Sequence, residues 1–373
     1  MRRGKIVFAG ILLAAAAGAT LFAARPAAVP AVEALPASSY IKWVDFNVPA
    51  DALDRSCRAA VTAHEEGLGA SMPDLLACLA AGYWGNWKSY RAADLDRLMD
   101  RLRAGETLDG IGREYKDYPY YKEAYGAVLD GMVGDYAIAL PGEDGEPRWQ
   151  VKYGLKAYCP VAEGFRFSHC DDFGNARSFG YRRRHLGNDL MGSVGSPIVA
   201  VESGVVEELG WNQYGGWRVG IRSFDGRRYY YYAHLRKGAP YQPGLERGNV
   251  VQAGDVIGYL GMTGYSRTED VNGMKVPHLH FGMQLIFDES QKTGNGEIWI
   301  DVCQLVNFLE RNRSTVDRDD GGTNTSIFPP RSILRIRAAH PKKSGARPRS
   351  FLFRREAARR RKNASSLFYT RLV

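Results

Sequence analysis

The 373-residue sequence is poor in cysteine. Its five cysteines exclude a fully paired set of disulfides and a zinc ribbon. Five is an odd number, so at least one cysteine is unpaired within the chain, and none has the C-x-x-C spacing of a zinc ribbon. Cys159 and Cys170 bracket a short polar loop and could form one disulfide. Cys57 and Cys78 fall in helical patterns, where a buried free thiol is equally expected.

Charge is absent from the first long apolar run, residues 6–24, which follows Arg2, Arg3 and Lys5. Nineteen residues are just long enough for a helix to span a bilayer. We therefore expect a membrane anchor, with a cleavable signal peptide as the alternative, although the apolar part of such a peptide usually has only about 7–15 residues. Because the positive flank is N-terminal, the remainder is expected outside the cytoplasm. Residues 1–39 are interpreted as signal anchor and linker.

Acidic residues are scarce in the last part of the chain, residues 311–373, where 17 Lys and Arg face 4 Asp and Glu. This segment carries a net charge of +13, whereas the whole chain carries +9. The first 310 residues therefore have a net charge of −4. Its lack of apolar periodicity predicts a basic, disordered tail. Anionic envelope polymers or lipid headgroups are possible partners of the tail, and the export signal argues against nucleic acid.

Residues 40–140 are predicted to form a small all-α domain, with helices from about Tyr40 to Asp135. Apolar residues follow helical spacing before a stop at Gly105, and Ser71 with Asp74 forms a capping-box-like start. The aromatic residues of this region are expected to pack in a core, and a sugar-stacking platform is the alternative. They are Trp84, Trp87, Tyr118, Tyr120, Tyr121 and Tyr125.

After a turn-rich stretch at residues 141–147, short apolar or alternating runs are separated by glycine-containing turns. Residues 150–310 are therefore predicted to form a mainly antiparallel β domain. The fold class is thus multidomain α and β, with a membrane segment, an all-α domain, a β domain and a basic tail.

Two of only seven histidines, His278 and His280, lie one residue apart in the run PHLHFGMQL. Alternate side chains of a strand point to the same face, so both imidazoles are expected to converge on one small volume. A lone histidine beside apolar residues is usually a satisfied core or surface residue. We prefer a metal site as the interpretation only if the chain supplies further ligands, because a metal needs three or four.

The chain does supply them, in two segments that precede the histidine pair. His185 and Asp189 have the spacing H-x-x-x-D, interrupted by Gly187, which favours a loop or strand end. His234 ends the aromatic run RRYYYYAH, and strand parity predicts that it shares a face with Tyr230 and Tyr232. Zinc accepts imidazole nitrogen and carboxylate oxygen, and a hydrolytic site uses three protein ligands and a water whose pKa falls to about 7.

The order H-x-x-x-D, Y-A-H-L, G-D-x-I-G-x-x-G-x-T-G-x-S and H-L-H-F resembles the lysostaphin-type, or LytM-like, zinc peptidases. The resemblance covers residues 184–285 and implies a LytM-like fold for the β domain. It implies that His185, Asp189 and His280 hold one Zn²⁺, and that His278 and His234 act in catalysis. This chain departs from the family by inserting residues 267–276, which changes the rim of the cleft.

The resemblance implies an exported endopeptidase that cuts peptide cross-links or stems of peptidoglycan with a zinc-activated water. One alternative is a metal-binding scaffold or activator of the cell envelope with weak activity. The three expected ligands argue against that alternative, because a degenerate relative would lack one of them. A zinc hydrolase with another exported substrate is the third interpretation.

Overall fold

The structure is a computed structural model that describes residues 40–140, 148–318 and 324–326. Among these residues, no helix has both the length and the apolar character that crossing a bilayer needs. The predicted anchor at residues 6–24 lies outside the described residues, as does most of the predicted basic tail. The turn-rich stretch 141–147 also lies outside them.

Among the described residues, five helices precede the first strand, and a sixth follows the last strand of the main sheet. They are α1 (Ala50–Glu65), α2 (Met72–Tyr83), α3 (Ala92–Arg103), α4 (Leu108–Gly112), α5 (Tyr118–Leu129) and α6 (Cys303–Leu309), with 3₁₀ turns at Trp87–Ser89 and Glu289–Gln291. The helical run ends at Leu129 rather than near Asp135, because an extended segment already begins at Val133.

The helical core forms as the apolar periodicity predicts. Ser71 is the N-cap of α2, and its hydroxyl accepts a hydrogen bond from the backbone N–H of Asp74 at 3.3 Å. Among the aromatic residues, Trp87, Tyr118 and Tyr125 are buried, so they pack in the core. The Trp87 indole N–H donates to the Tyr125 hydroxyl at 2.8 Å, which satisfies both polar groups. Trp84 is the exception, with 83% of its surface exposed.

The strands are short and follow one another closely along the chain. They are β1 (Val133–Leu140), β2 (Arg148–Leu155), β3 (Phe167–His169), β4 (Ala176–Phe179), β5 (Tyr181–Arg184), β6 (Asn188–Gly192), β7 (Pro197–Val199), β8 (Gly204–Asn212), β9 (Gly216–Ser223), β10 (Arg228–Ala233), β11 (Val250–Val251), β12 (Val256–Tyr259), β13 (His278–Leu285), β14 (Ile298–Ile300), β15 (Val316–Arg318) and β16 (Asn324–Ser326).

The described strand pairs are all antiparallel, which confirms the predicted mainly antiparallel β class. The main sheet has the order β11-β8-β9-β10-β13-β6-β3, and β14 pairs with the far half of β13. Strand β13 therefore lies between β10 and β6, and its residues are nearly all buried. The histidine motifs of the sequence fall on these three adjacent strands or directly beside them.

Strands β1 and β2 pair with each other over their whole length, so residues 141–147 connect two partners of one hairpin. The helical region is joined to the sheet by a hydrogen bond from a buried, ion-paired arginine. Arg228 on β10 contacts Glu202 at 2.7 Å and donates to the backbone carbonyl of Ala127 on α5 at 2.7 Å. Because a buried charge must be paired, these contacts fix α5 against the sheet.

One open alternative about the flanking features is decided, and one expectation is corrected. Cys159 and Cys170 are both free, since Cys159 is buried while Cys170 is exposed, and no disulfide joins them. The start of the predicted disordered tail is ordered. Arg313 donates to the carbonyl of Val161 at 3.1 Å, and β15 pairs with β16. These backbone contacts offset the conformational entropy that the segment loses when it is ordered.

Candidate active site

Strand register brings the candidate ligands together at one end of the central strands. On β13, His280 lies directly opposite Asp189 of β6 on one side and Ala233 of β10 on the other. Directly opposed residues in an antiparallel pair have Cβ atoms about 4.5–5.5 Å apart. His234 follows Ala233, and His185 stands in the short loop between β5 and β6. Backbone pairing thus brings Asp189 and His280 together, and places the segments that carry His185 and His234 beside them.

Three donor atoms converge in a way that fits a zinc ion. His185 Nε2 lies 2.8 Å from His280 Nδ1 and 3.0 Å from Asp189 Oδ1, and His280 Nδ1 lies 3.2 Å from the same oxygen. Donors about 2.0–2.2 Å from one tetrahedral ion would be separated by about 3.3 Å. Within the described residues, these three form the one group of histidine, cysteine or carboxylate side chains close enough to hold a metal. The donor set therefore suits Zn²⁺.

The orientation of His185 also suits a ligand. Its Nδ1 lies 3.0 Å from both the backbone carbonyl oxygen of Asp172 and Nη2 of Arg177. When an Nδ1–H donates to the carbonyl, Nε2 presents its lone pair to the site. Metal-binding histidines usually donate the second ring N–H in this manner. Gly187 lets the loop pass over His280, because a Cβ at this position would lie 2.9 Å from the His280 ring and 2.5 Å from a backbone carbonyl oxygen.

Asp172 and Arg177 complete the surroundings of the Asp189 carboxylate. The side chain of Asp172 accepts from the backbone N–H of Asp189 at 3.2 Å. Arg177 bridges the two acids, with Nη2 2.6 Å from Asp172 Oδ2 and 3.0 Å from Asp189 Oδ2. The outer oxygen of Asp189 is thereby occupied, and Oδ1 is directed at the two imidazoles.

His278 faces the same space but stands apart from the three donors. Its Nδ1 lies 2.8 Å from the backbone carbonyl of Val276, so Nδ1 carries the proton in the neutral ring. Nε2 then presents a lone pair and lies 3.8 Å from Asp189 Oδ1. His278 and His280 do point to the same face, as the strand pattern predicts.

His234 reaches the site by a departure from strand geometry. Its φ is +61°, in the left-handed region that residues other than glycine seldom adopt. Parity places His234 with Tyr230 and Tyr232, but that prediction is wrong. Those two tyrosines are buried in the core, whereas His234 lines the cleft with Tyr231. The left-handed residue turns the side chain to the other face, and its Nδ1 lies 2.8 Å from the Thr263 carbonyl.

The electrostatics favour neutral rings at His234 and His280 and a charged carboxylate at Asp189. Burial, followed by the neighbouring rings of His278 and His280, holds the pKa of His234 well below its ordinary value. Burial likewise lowers the pKa of His280. Burial alone would raise the pKa of Asp189, but its hydrogen bonds to His185 and His280 hold that pKa far below the usual range. Neutral imidazoles and an ionised carboxylate are the forms that bind zinc.

These groups open into a cleft of about 290 Å³, walled on one side by the β4–β5 hairpin. The lining residues are Arg177, Arg183, Arg184, His185, Leu186, Asp189, Tyr214, Gly215, Tyr231, Ala233, His234, Tyr265, Met274, His278 and His280. The inserted residues 267–276 reach the cleft through Met274. Asp270 anchors the insert by accepting from the Trp217 indole N–H and the Gly238 backbone N–H, both at 2.8 Å.

All five residues that the sequence singled out therefore lie together, although their individual roles stay predictions. Sequence reasoning missed Asp172, Arg177 and Arg183. No periodicity or spacing marks these three, and the one signal was the concentration of charge in the segment that precedes the H-x-x-x-D motif.

Comparison with known proteins agrees with this geometry. Residues 183–293 match the model of peptidase family M23. L-Ala--D-Glu endopeptidase of Bacillus subtilis (strain 168) is 42% identical over 117 residues, which cover 31% of this chain and 34% of that protein. Lysostaphin of Staphylococcus simulans is 38% identical over 98 residues, or 26% of this chain and 17% of that protein.

The solved catalytic domain of lysostaphin from Staphylococcus simulans is 32% identical, with a TM-score of 0.27, and the match covers 33% of this chain and 85% of that one. This chain thus spans about a third or less of the length of the curated relatives. The helical region lies outside the family match. Residues 183–293, which match the model of peptidase family M23, contain every residue of the three-donor group.

Proposed function

We propose that this protein is an exported zinc metalloendopeptidase that hydrolyses peptide bonds in peptidoglycan cross-links or stems. The observation that carries the proposal is the convergence of His185 Nε2, Asp189 Oδ1 and His280 Nδ1 within 3.2 Å of one another, beside His234 and His278. The names of the curated relatives support the substrate class, since they include an L-Ala--D-Glu endopeptidase and a peptidoglycan DD-endopeptidase.

His185, Asp189 and His280 would hold one Zn²⁺. When bound, the ion supplies Lewis acidity toward water and toward the carbonyl of the scissile amide. Asp172 and Arg177 hold the carboxylate and one imidazole in place through the contacts described above, so that the donors need little rearrangement.

His278 is proposed as the general base. With Nδ1–H donating to Val276, its Nε2 can accept a proton from the attacking water. His278 lies one strand repeat from His280, about 6–7 Å along the backbone, so it faces the reacting groups rather than joining the ligand set.

His234 is proposed to stabilise the oxyanion of the tetrahedral intermediate. Because its Nδ1–H is engaged by Thr263, Nε2 can donate to an oxyanion only when the ring carries a second proton. Such a proton, taken from solvent, would be strongly acidic because of the lowered pKa of His234, so it would donate strongly to the oxyanion. The leaving amine would receive the proton that His278 took from the attacking water. The ring centroids of His234 and His278 lie 4.7 Å apart, close enough for the two residues to act on opposite sides of one amide.

Action outside the cytoplasm is part of the same proposal, since peptidoglycan lies there. The charge-free run at residues 6–24 would attach the protein to the membrane, or direct its secretion if it is cleaved. The basic tail would add attraction to anionic envelope polymers. This attraction should weaken as the Debye length falls to about 3 Å at 1 M salt.

Incubation of the purified full-length protein with purified peptidoglycan tests the proposal. Mass spectrometry of the released fragments identifies the bond that is cut, and cell walls of defined cross-link type identify the preferred substrate. We expect fragment release to stop on chelation and to return when Zn²⁺ is added back. His64→Ala, at an exposed histidine outside the site, serves as the control for substitution itself.

A protein that binds zinc tightly at these three residues but releases no fragment from any cell wall would contradict the proposal. It would favour the scaffold or activator alternative. Cleavage of other exported proteins without cleavage of peptidoglycan would instead indicate a different substrate.

A further inference from the structure

The hairpin of β4 and β5 gives the cleft an excess of positive charge that the proposed chemistry does not use. Arg177, Arg183 and Arg184 all line the cleft, against the single carboxylate of Asp189. A zinc ion would add two more positive charges. A cleft lined by one sign of charge concentrates ligands of the opposite sign.

The three arginines differ in whether their charge is already paired. Arg177 contacts the carboxylates of Asp172 and Asp189 at 2.6 and 3.0 Å, so its charge is compensated inside the protein. Within the described residues, no carboxylate lies within 4.0 Å of the guanidinium of Arg183 or Arg184. These two are the charges that remain available to a bound molecule.

Arg183 is held in place by two aromatic rings, but one of its nitrogens lacks a hydrogen-bond partner among the described residues. Its guanidinium lies over the rings of Tyr214 and Tyr265, 4.7 and 5.0 Å from their centroids. Phe179 of the same hairpin stacks on Tyr265 at 5.2 Å and steadies that ring. Nη1 of Arg183 is buried and has no hydrogen-bond partner among the described residues. A buried donor without a partner destabilises the folded protein, so its presence beside a cleft calls for a ligand.

The position of Arg183 relates it to the reacting groups. Tyr265 separates it from His234, whose ring centroid lies 6.1 Å from that of Tyr265. An extended peptide spans about 3.3–3.6 Å per residue, so a group bound at Arg183 would lie within about three residues of the scissile bond.

We propose that Arg183, with Arg184 beside it, binds a carboxylate of the substrate, and that the enzyme prefers peptides with a free carboxylate near the scissile bond. Peptides in which that group is amidated, or glycyl chains that lack it, would bind less well. Guanidinium and carboxylate form paired charge-assisted hydrogen bonds, which an amide cannot match because it carries no charge. This inference rests on the proposed function, because it concerns the substrate of the same cleft.

A matched pair of peptides tests it: L-Ala-γ-D-Glu-L-Lys-D-Ala and the same peptide with the glutamate α-carboxylate converted to a carboxamide. Binding to the zinc-loaded protein is measured by titration calorimetry, and hydrolysis of both peptides is followed by chromatography. We expect the acid to bind about 10–100-fold more tightly than the amide, the range that charged hydrogen bonds provide. The preference should persist in chelator-treated protein, which separates Arg183 from direct contact between the carboxylate and zinc.

The variants assign the preference to one side chain. Arg183→Gln should bring acid and amide to within about twofold, and Arg183→Lys should keep part of the difference, since it retains charge without the planar fork. Arg182→Gln is the control, because Arg182 is exposed on the same strand and does not line the cleft. Thermal melting shows whether each variant folds.

Equal binding of acid and amide to the parent protein overturns the inference without reference to any variant. So does a loss of preference in Arg182→Gln as large as in Arg183→Gln. A protein that prefers the acid but hydrolyses no peptidoglycan would retain this carboxylate site while the proposed function fails, and hydrolysis without acid preference would show the reverse.

Discussion

The helical region and the β region bury different kinds of side chain. Among the described residues, Ser56 is the one buried polar or charged side chain between residues 40 and 130. Between residues 148 and 318 there are many more. They are Asp172, His185, Asn188, Asp189, Ser196, Glu202, Ser203, Ser223, Arg228, His234, Thr263, His278, Gln284, Gln291 and Ser314. Burying polar groups costs free energy unless they are paired, so their concentration in one region marks where specific contacts are needed.

This difference indicates how the two regions divide their roles. No residue of the helical region lines the cleft, and none belongs to the described three-donor group. Its apolar core needs only shape and size to fold. The contact of Arg228 with the Ala127 carbonyl then holds it against the sheet. We therefore expect the helical region to act as a support and the β region to carry the proposed chemistry.

Loss of a ligand is expected to have the largest effect. His280→Ala removes one of three converging donors, so both bound zinc and hydrolysis should fall below detection. Metal content is measured by elemental analysis, and activity by fragment release from cell walls. His64→Ala, in the helical region, should retain both. A His280→Ala protein that kept zinc at the parent level would show that the three-donor group is not the zinc site.

His278→Ala is expected to separate metal binding from catalysis. The ring lies outside the three-donor group, so zinc content should stay at the parent level. Loss of a general base should lower kcat by about 10²- to 10⁴-fold. The paired measurements are again metal analysis and hydrolysis rate. Metal loss equal to that of His280→Ala, or an unchanged rate, would contradict this division.

Leu76→Ala tests the supporting role of the helical region. Leu76 is fully buried in α2, and its truncation should lower the free energy of unfolding by about 2–5 kcal/mol. Hydrolysis per folded molecule should not change, because the cleft contains no residue of this region. Chemical denaturation and a rate corrected for the folded fraction measure the two effects. A fall in kcat of the folded protein would contradict a purely supporting role of the helical region.

Asp172→Ala tests whether the residues around the ligands tune the metal. It removes the acceptor of the Asp189 N–H and frees Arg177 to compete for the Asp189 carboxylate. Zinc affinity, measured against a chelator of known strength, should fall about 10–100-fold. Asp171→Ala, at the exposed neighbour, is the control. Adding Arg177→Met should restore part of the affinity, and no restoration would exclude competition by Arg177.

The smallest effect is expected on stability as a function of pH. Burial and the nearby Asp171 raise the pKa of Asp301 to about 6, although a hydrogen bond from the Cys303 N–H lowers this pKa in part. The folded state thus holds this proton more tightly, so stability falls as pH rises from about 4 to 6. Asp301→Asn should stabilise the protein by about 1 kcal/mol above pH 6, because the carboxyl is only partly buried. It should change little below pH 4. Urea unfolding at both pH values measures this.

The periodic and motif-bearing parts of the molecule could be predicted from the sequence. The apolar spacing predicts α1 and α3, the Ser71 cap predicts the start of α2, and strand parity predicts that His278 and His280 share a face. These features depend on local backbone geometry, in which neighbours along the chain decide the outcome.

Long-range and strained features could not be predicted in this way. The left-handed φ of His234 reverses the expected parity, because a tertiary contact with the Thr263 carbonyl compensates its strain. The charged segment before His185 has no pattern that distinguishes Arg177, paired with two acids, from Arg183, held between two tyrosines.

The residue types available for zinc chemistry, and the placement of four histidines and an aspartate in glycine-bounded strands or loops, follow from the sequence. Folding adds that Asp189 and His280 lie opposite each other, that Asp172 orients His185, and that Arg183 has no ion-pair partner among the described residues. The physical reason is that strand register and side-chain pairing join residues nearly a hundred positions apart, and these pairings are specified by the packed core as a whole.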